Sequence, residues 1–235
     1  MTKNNICIII PAFNEATTIT GVIDDVRSAL KKEKHAFEIV IVNDGSSDDT
    51  SKLAEASDAN VINHILNTGA GGATATGLSY AERNNFDIAV TMDADGQHSP
   101  KDVVKGIEEL KKNDADLLIG SRLVNTDGMS KVKILGNKGL SIITYLVFNV
   151  KVTDSQSGLR IFSKRALTRL KWRTSGYEFA SEMLWRANQL GLKIDEFPIK
   201  AIYTEYSMSK GQNNWNAINI IRNLITRRIV ELLSE

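Results

Sequence analysis

From Asn5 to Met92 the chain alternates short apolar runs with segments of helical spacing, and this alternation fixes the class of fold open to it. Asn5 to Pro11 reads as a strand ended by Pro11. Phe37 to Val42, Asn60 to Ile65 and Phe86 to Met92 read as three more. Between them, Ala16 to Leu30 sets Ile19, Val22, Ile23, Val26 and Leu30 on one helical face. Asp48 or Asp49 caps a second helix running to about Ala56, and a third spans Ala73 to Arg83. Strands separated by helices form βαβ units, which make a mostly parallel sheet with helices on both faces. The second half is less regular: a strand over Asp114 to Ile119, a helix over Ile134 to Val150 with a break near Gly139, and a strand at Gly158 to Phe162. Helices follow at Lys164 to Leu170 and Glu178 to Leu190, then an extended stretch at Lys193 to Tyr203. The tail from Trp215 to Leu233 is an amphipathic helix, apolar at Ile218, Ile221, Leu224, Ile225, Val230 and Leu232, with Arg222, Arg227 and Arg228 adding positive charge.

At 235 residues the chain fits one large domain with an appendage, with a domain over 1–211 and the amphipathic tail over 212–235. A net charge of +1 provides no global field for nucleic acid. The single cysteine, Cys7, lies in the first apolar strand, so no internal disulfide forms and a reducing cytoplasmic compartment is compatible. No secretory signal pattern is expected at the N-terminus. The longest apolar stretch, around Ile142 to Val150, falls short of the roughly 20 residues that span a bilayer. The expectation is a cytoplasmic protein held peripherally at the cytoplasmic face of a membrane, through the tail or through a membrane protein partner, with a homo-oligomer as the other partner reading.

In parallel sheets ligands collect beyond the carboxyl ends of the strands. The polar clusters fall there: Asn14-Glu15, Asp44 and Asp93-Ala94-Asp95-Gly96-Gln97-His98. Two carboxylates one residue apart suit Mg²⁺ or Mn²⁺, which keep waters and share a phosphate-bearing ligand. Such an ion neutralises a departing diphosphate, although Asp-x-Asp-Gly is also ordinary turn chemistry. Ionised Glu15 and Asp44 match ribose hydroxyls or base N–H donors; a helix N-terminus and a plain turn are their ordinary alternatives. Gly69-Ala70-Gly71-Gly72 lacks the Gly-Lys-Ser/Thr of a phosphate loop, so a close-packing turn is preferred. His98 either reaches the metal site or sits beside the turn. His35 and His64 show no carboxylate or cysteine pattern, and Trp172, Trp185 and Trp215 read as packing or interfacial residues.

Ile8-Ile9-Ile10-Pro11-Ala12-Phe13-Asn14-Glu15, Val42-Asn43-Asp44-Gly45-Ser46-Ser47-Asp48-Asp49-Thr50 and the aspartate motif together resemble family 2 glycosyltransferases. Gly120-Ser121-Arg122, Asp154 to Arg160 and Glu196-Phe197-Pro198-Ile199 resemble the dolichol-phosphate mannosyltransferase-like branch, which acts on polyprenyl phosphates. The resemblance implies a GT-A fold, a GDP- or UDP-linked sugar donor, a hexose of mannose or glucose type, inversion at the anomeric carbon and a Mg²⁺ or Mn²⁺ cofactor. By the same resemblance Pro11, Ala12, Asn14 and Glu15 line the nucleoside pocket and Asp44 contacts base or ribose. Asp93, Ala94, Asp95 and Gln97 gather at the metal and diphosphate, with Asp93, Asp95 and Gln97 as ligands. Arg122 binds the acceptor phosphate, with a second basic contact near Lys133, where relatives more often carry arginine. Tyr206 stands near the place of an arginine that close dolichol-type relatives carry before a Ser-Lys pair. Ser209 and Lys210 remain, and Lys210 would meet the donor diphosphate.

The nucleophile separates two subclasses. A lipid phosphate is already anionic and needs cationic partners, for which Arg122 and Lys133 are candidates. A saccharide hydroxyl needs a carboxylate base, for which Glu182 or Glu178 is the candidate. Their alternative is a solvated face, or Glu182 paired with Arg186 four residues on. Asp154 and Arg160 are equally open to an ion pair that ties the acceptor loop. Catalysis is thus expected from Asp95, Arg122 and, for a hydroxyl acceptor, Glu182. A nucleotidyltransferase would favour a basic glycine-rich N-terminal loop, which Pro11 to Glu15 is not. Turnover lost on Asp95→Asn with folding intact would exclude a non-catalytic nucleotide-sugar binder.

Overall fold

The computed structural model describes residues 5–33, 35–126, 129–202 and the single positions 222 and 226. The expected boundary at 211, the tail helix and the segment containing Tyr206, Ser209 and Lys210 lie outside the described residues. Among the described residues fourteen elements follow in order. The first half contains β1 (Asn5–Ala12), α1 (Ile19–Lys32), β2 (Ala36–Asn43), α2 (Thr50–Ala56), β3 (Asn60–Asn63), α3 (Ala70–Arg83) and β4 (Ile88–Thr91). The second contains α4 (Pro100–Lys112), β5 (Leu117–Ser121), α5 (Lys131–Phe148), β6 (Arg160–Ser163), α6 (Lys164–Arg169), α7 (Phe179–Gln189) and β7 (Ile194–Pro198).

The seven strands form one sheet in the order β3-β2-β1-β4-β6-β5-β7. All neighbours are parallel except β6, which runs antiparallel to both β4 and β5. Strand β1 shows why the sheet is buried on both sides. Cys7 and Ile9 enter one apolar layer with α3, α5, α6 and α7, while Ile6, Ile8 and Ile10 enter the other with α1, α2 and α4. Alternate side chains leave opposite faces, so a strand covered twice must be apolar throughout.

Some boundaries differ from the sequence reading, for physical reasons. Helix α3 starts at Ala70, so Gly71 and Gly72 lie in its first turn rather than before it. A methyl group at Gly71 would meet Thr174 O at 2.6 Å and Phe179 Cβ at 2.7 Å; the glycine lets the helix approach the loop before α7. Helix α5 runs through Gly139 without a break. Helix α4 was missed by the sequence reading although its signals are local. Ser99 Oγ accepts from Lys101 N, Pro100 opens the first turn beside Asp102, and Lys111 and Lys112 close the last.

The order of the strands positions the site. From β1 the chain steps outward to β2 and β3, then returns to place β4 on the other side of β1. The carboxyl ends of β1 and β4 therefore diverge, and a crevice opens between them at this switch point.

Candidate active site

A cavity of about 640 Å³ fills that crevice. It takes Pro11, Ala12, Phe13 and Glu15 from the end of β1, Asp44 from the end of β2, and Asp93, Ala94, Asp95 and Gln97 from the loop after β4. Arg122 after β5 and Lys133 in the first turn of α5 line its other side. Ten of the residues named from sequence thus meet in one space. Asn14 and Glu182 are not among its lining, and Lys210 lies outside the described residues.

Asn14 staples two loops instead. In a left-handed conformation (φ 55°), it donates its backbone N–H to Ser46 Oγ at 2.9 Å, and its Oδ1 accepts from Ser47 N at 2.9 Å. The β1 loop is thereby fixed to the loop that carries Asp44.

Asp44 is buried and almost fully engaged. Its Oδ1 accepts from Thr68 N (2.8 Å) and Thr68 Oγ1 (2.7 Å) and lies 2.8 Å from His64 Nδ1; its Oδ2 accepts from Gly69 N at 2.8 Å. Burial works to raise its pKa, but these hydrogen bonds outweigh it and hold the carboxyl below its ordinary value. His64 could not be tied to this group from sequence, because 20 residues and a strand separate the two. Gly69 explains the glycine-rich stretch. Its φ is 85° and a methyl group there would meet Ser175 O at 2.5 Å, as a close-packing turn requires.

The two aspartates differ in environment. Asp93 Oδ2 lies 3.1 Å from Nε2 of His98, which is buried and whose Nδ1 finds no partner among the described residues. The Asp93 side chain is 54% exposed; desolvation by its neighbours in the cleft works to raise its pKa, but the His98 hydrogen bond and the charges of His98, Arg122 and Arg160 lower it. Asp95 is raised, first by burial and then by the charge of Asp93, against the hydrogen bond from Gln97 N. Two like charges one residue apart therefore repel in a cleft, the condition that a divalent cation relieves. No group of three or more His, Cys, Asp or Glu among the described residues is placed to hold a metal alone. Two carboxylates with ligand phosphates and water completing the shell are the donor set of Mg²⁺ or Mn²⁺, so the residues fit such an ion. Gln97 lines the cavity beside these carboxylates. Its backbone N donates to Asp95 Oδ1 (3.0 Å) and its side-chain amide to Asp95 Oδ2 (2.6 Å), which orients the carboxylate. Gly158 supplies the remaining constraint, for a Cβ there would overlap the Asp93 carboxylate. Gly158 lies in the Asp154 to Arg160 motif, but no local signal there encodes this contact.

On the other side, Arg122 forks onto fully buried Asp154: Nε to Oδ2 at 2.7 Å and Nη2 to Oδ1 at 2.9 Å. The expected Asp154–Arg160 pair is replaced by this one. Arg160, itself buried, donates to the carbonyls of Ser155 (2.8 Å), Ser157 (3.0 Å) and Ala180 (3.2 Å), fastening the 155–158 loop to α7. Burial lowers its pKa to about 10, opposed by the charges of Asp154 and Asp93, so it stays cationic at neutral pH. Glu182 has no exposed surface; its oxygens accept from Arg173 N (3.2 Å) and Thr174 N (2.9 Å), and Arg186 Nε lies 3.7 Å away. Glu178 does not line the cavity either. Gln156, inside the Asp154 to Arg160 motif, does, as do Asn137, Asn67, Thr74 and Tyr177, which no local pattern in the sequence singles out.

Residues 7–170 match the family model described as glycosyl transferase family 2, and the chain belongs to that family. An uncharacterised protein of Methanocaldococcus jannaschii, MJ1222, is 44% identical over 97% of this chain and 93% of its own. The UDP-N-acetylglucosamine–dolichyl-phosphate N-acetylglucosaminyltransferase of Methanococcus voltae is 41% identical over 99% of this chain and 100% of its own. Glucosyl-3-phosphoglycerate synthase of Mycobacterium tuberculosis superposes with a TM-score of 0.72 at 21% identity, covering 97% of this chain and 79% of that one. The sheet and its flanking helices are thus a GT-A fold, and the protein is a glycosyltransferase.

Proposed function

We propose that the enzyme transfers a sugar, with inversion, from a nucleoside-diphosphate donor to a polyprenyl phosphate. The observation that carries this reading is the division of charge in the cavity. Its lining carboxylates, Glu15, Asp44, Asp93 and Asp95, follow β1, β2 and β4, while Arg122 and Lys133 line the side after β5, and the buried Arg160 of β6, the strand between β4 and β5, is the third lining cation. That cationic side suits an anionic acceptor. A hydroxyl acceptor would need a base, and neither Glu182 nor Glu178 lines the cavity. Glu182 is better read as a positioning residue that fixes the loop before α7. The relative acting on UDP-N-acetylglucosamine and dolichyl phosphate spans the full length of both chains. It directs N-acetylglucosamine ahead of the mannose or glucose suggested by sequence motifs alone.

The reaction forms a bond from an acceptor phosphate oxygen to the sugar C1 and breaks the bond from C1 to the nucleoside diphosphate, whose oxygen keeps the electron pair. Asp44, fixed by Thr68, Gly69 and His64, offers acceptor atoms to ribose hydroxyls or base N–H groups. Arg122, pre-oriented by Asp154, and Lys133 bind the acceptor phosphate and hold it near C1. Asp93 and Asp95 would hold Mg²⁺ or Mn²⁺, which when bound stabilises the charge of the departing diphosphate.

Purified protein with UDP-N-acetylglucosamine, Mn²⁺ and a short polyprenyl phosphate tests the proposal by mass spectrometry. The expected product is the glycosyl phosphoryl polyprenol together with UDP. Transfer to a saccharide hydroxyl with none to the lipid phosphate overturns it.

A further inference from the structure

Where α5 and α7 meet the loop before β6, they share a chain of buried hydroxyls, those of Ser141, Thr144, Ser155 and Ser181. Thr144 Oγ1 donates to Leu140 O at 2.8 Å and lies 2.8 Å from Ser181 Oγ. Its one proton is thereby spent, so Ser181 Oγ donates to it and keeps only lone pairs for other partners. Gln156 Nε2 lies 3.2 Å from Ser181 Oγ and 3.2 Å from Ser155 Oγ and donates to both. Ser155 is held in turn by Ser141, whose Oγ donates to Ser155 Oγ at 3.3 Å and accepts from Ser155 N at 3.0 Å. A flipped Gln156 amide would set its oxygen against the Ser181 oxygen, which has no proton to offer. The hydroxyl relay therefore fixes which way the amide faces. Gln156 lines the cavity, and no described residue donates to its Oε1.

The position of this oxygen selects what it meets. During transfer the sugar lies between the departing diphosphate and the acceptor phosphate. The segment 154–158 spans these two: Asp154 holds Arg122 at one end, and Gly158 packs on the Asp93 carboxylate at the other. Gln156 stands midway, so its oxygen faces the sugar. Asp44, the candidate contact to the nucleoside, follows β2, which β1 and β4 separate from β6. Leu140 and Ala180, the chain neighbours of Ser141 and Ser181, also line the cavity, together with Phe179. A neutral acceptor beside aliphatic and aromatic surface matches a secondary amide that carries a methyl group, with the N–H on the oxygen and the methyl on the apolar wall. A sugar hydroxyl in the same place would bond the oxygen and leave the apolar wall to water.

We infer that Gln156 selects the donor sugar by accepting a hydrogen bond from the acetamido N–H of an N-acetylhexosamine, and that Ser181 and Thr144 are positioning residues that hold its amide in this sense. The inference rests on the sugar transfer proposed above and names the group on the sugar that the site recognises.

Binding tests this without any acceptor. Isothermal titration of the full chain with UDP-N-acetylglucosamine, UDP-glucose and UDP, each with Mn²⁺, should show wild type preferring the first sugar nucleotide to the second. Gln156→Leu should cut that preference by about tenfold or more while binding UDP as wild type does. Ser181→Ala, outside the cavity lining, should shift the preference in the same direction, because the amide is no longer held. A merely structural serine would lower Tm and leave the ratio of the two affinities alone. A folded Gln156→Leu that keeps the wild-type preference overturns the inference. So does a wild type that binds UDP-glucose as tightly as UDP-N-acetylglucosamine. Should Gln156→Leu fail to fold, the Ser181→Ala ratio decides, and an unchanged ratio overturns it. If the preference is found and lost as expected but wild type transfers sugar to no polyprenyl phosphate, the role of Gln156 stands and the acceptor assignment falls.

Discussion

Replacing Gly158 by alanine should disable the enzyme while leaving it folded. Gly158 is not among the residues of positive φ, so alanine suits its backbone. The obstacle is the Asp93 carboxylate, which occupies the space the methyl group would take. Restoring ordinary contact at ~3.5 Å moves the carboxylate by on the order of 1 Å. A displacement of that size in a reacting site costs about 10²-fold in rate, or about 2.7 kcal/mol of transition-state stabilisation. The stability cost is smaller. His98 loses its carboxylate partner at about 1–3 kcal/mol, against about 0.4–1 kcal/mol gained by restricting the unfolded chain. A net loss of about 1–2 kcal/mol lowers Tm by roughly 2–8 °C in a chain of this size. The assay is kcat/KM for sugar transfer as a function of Mn²⁺ concentration, with near-ultraviolet circular dichroism as the check on folding. The expected result is a roughly hundredfold fall in kcat/KM and a higher Mn²⁺ requirement. Wild-type kcat/KM with an unchanged Mn²⁺ requirement would refute the packing of Gly158 on Asp93 as a catalytic constraint.

Other substitutions probe the same site. Asp95 has a raised pKa, so its contribution to stability is complete below the unfolded value of about 3.9 and is lost as pH rises through its folded value. Asp95→Asn should therefore make the metal-free protein more stable at pH 7, abolish turnover, and show a stability gain that vanishes in acid. Asp44 behaves in the opposite sense: its lowered pKa contributes stability above about pH 3.9 that is lost as pH falls through the folded value. Asp44→Asn should cost about 1.5–3 kcal/mol at neutral pH by urea unfolding, with the deficit shrinking on acidification. Asp154→Ala strips Arg122 of a fully buried partner and should cost about 3–5 kcal/mol, together with a raised KM for the acceptor. Glu182→Gln should lower Tm and leave the rate per folded molecule unchanged, because its carboxylate bonds backbone amides outside the cavity.

The residues that follow β1, β2 and β4 were legible because alternation, strand ends and polar clusters are local signals. Pro11 to Glu15, Asp44 and Asp93 to Gln97 fall at one rim on strand ends alone. What escaped was set by contacts between distant segments. His64 reaches Asp44 across 20 residues, Gly158 makes room for Asp93 across 65, and Asp154 takes Arg122 in place of Arg160. No period or spacing encodes such pairings. Glu182 shows the same limit: on a helix near a binding motif its carboxylate reads as a candidate base, and neither its burial nor its backbone donors are encoded in that spacing. Helix α4 was a different failure, since Ser99-Pro100 and Asp102 announced it locally.

The account turns on whether Asp93 and Asp95 share a divalent ion with the donor diphosphate. Titrating Mn²⁺ into the protein by electron paramagnetic resonance, with and without UDP, measures this directly. Shared coordination requires each ligand to tighten the other by the same factor, expected at about tenfold or more, with the coupling lost in Asp95→Asn. An Mn²⁺ affinity that is indifferent both to UDP and to that substitution would contradict it.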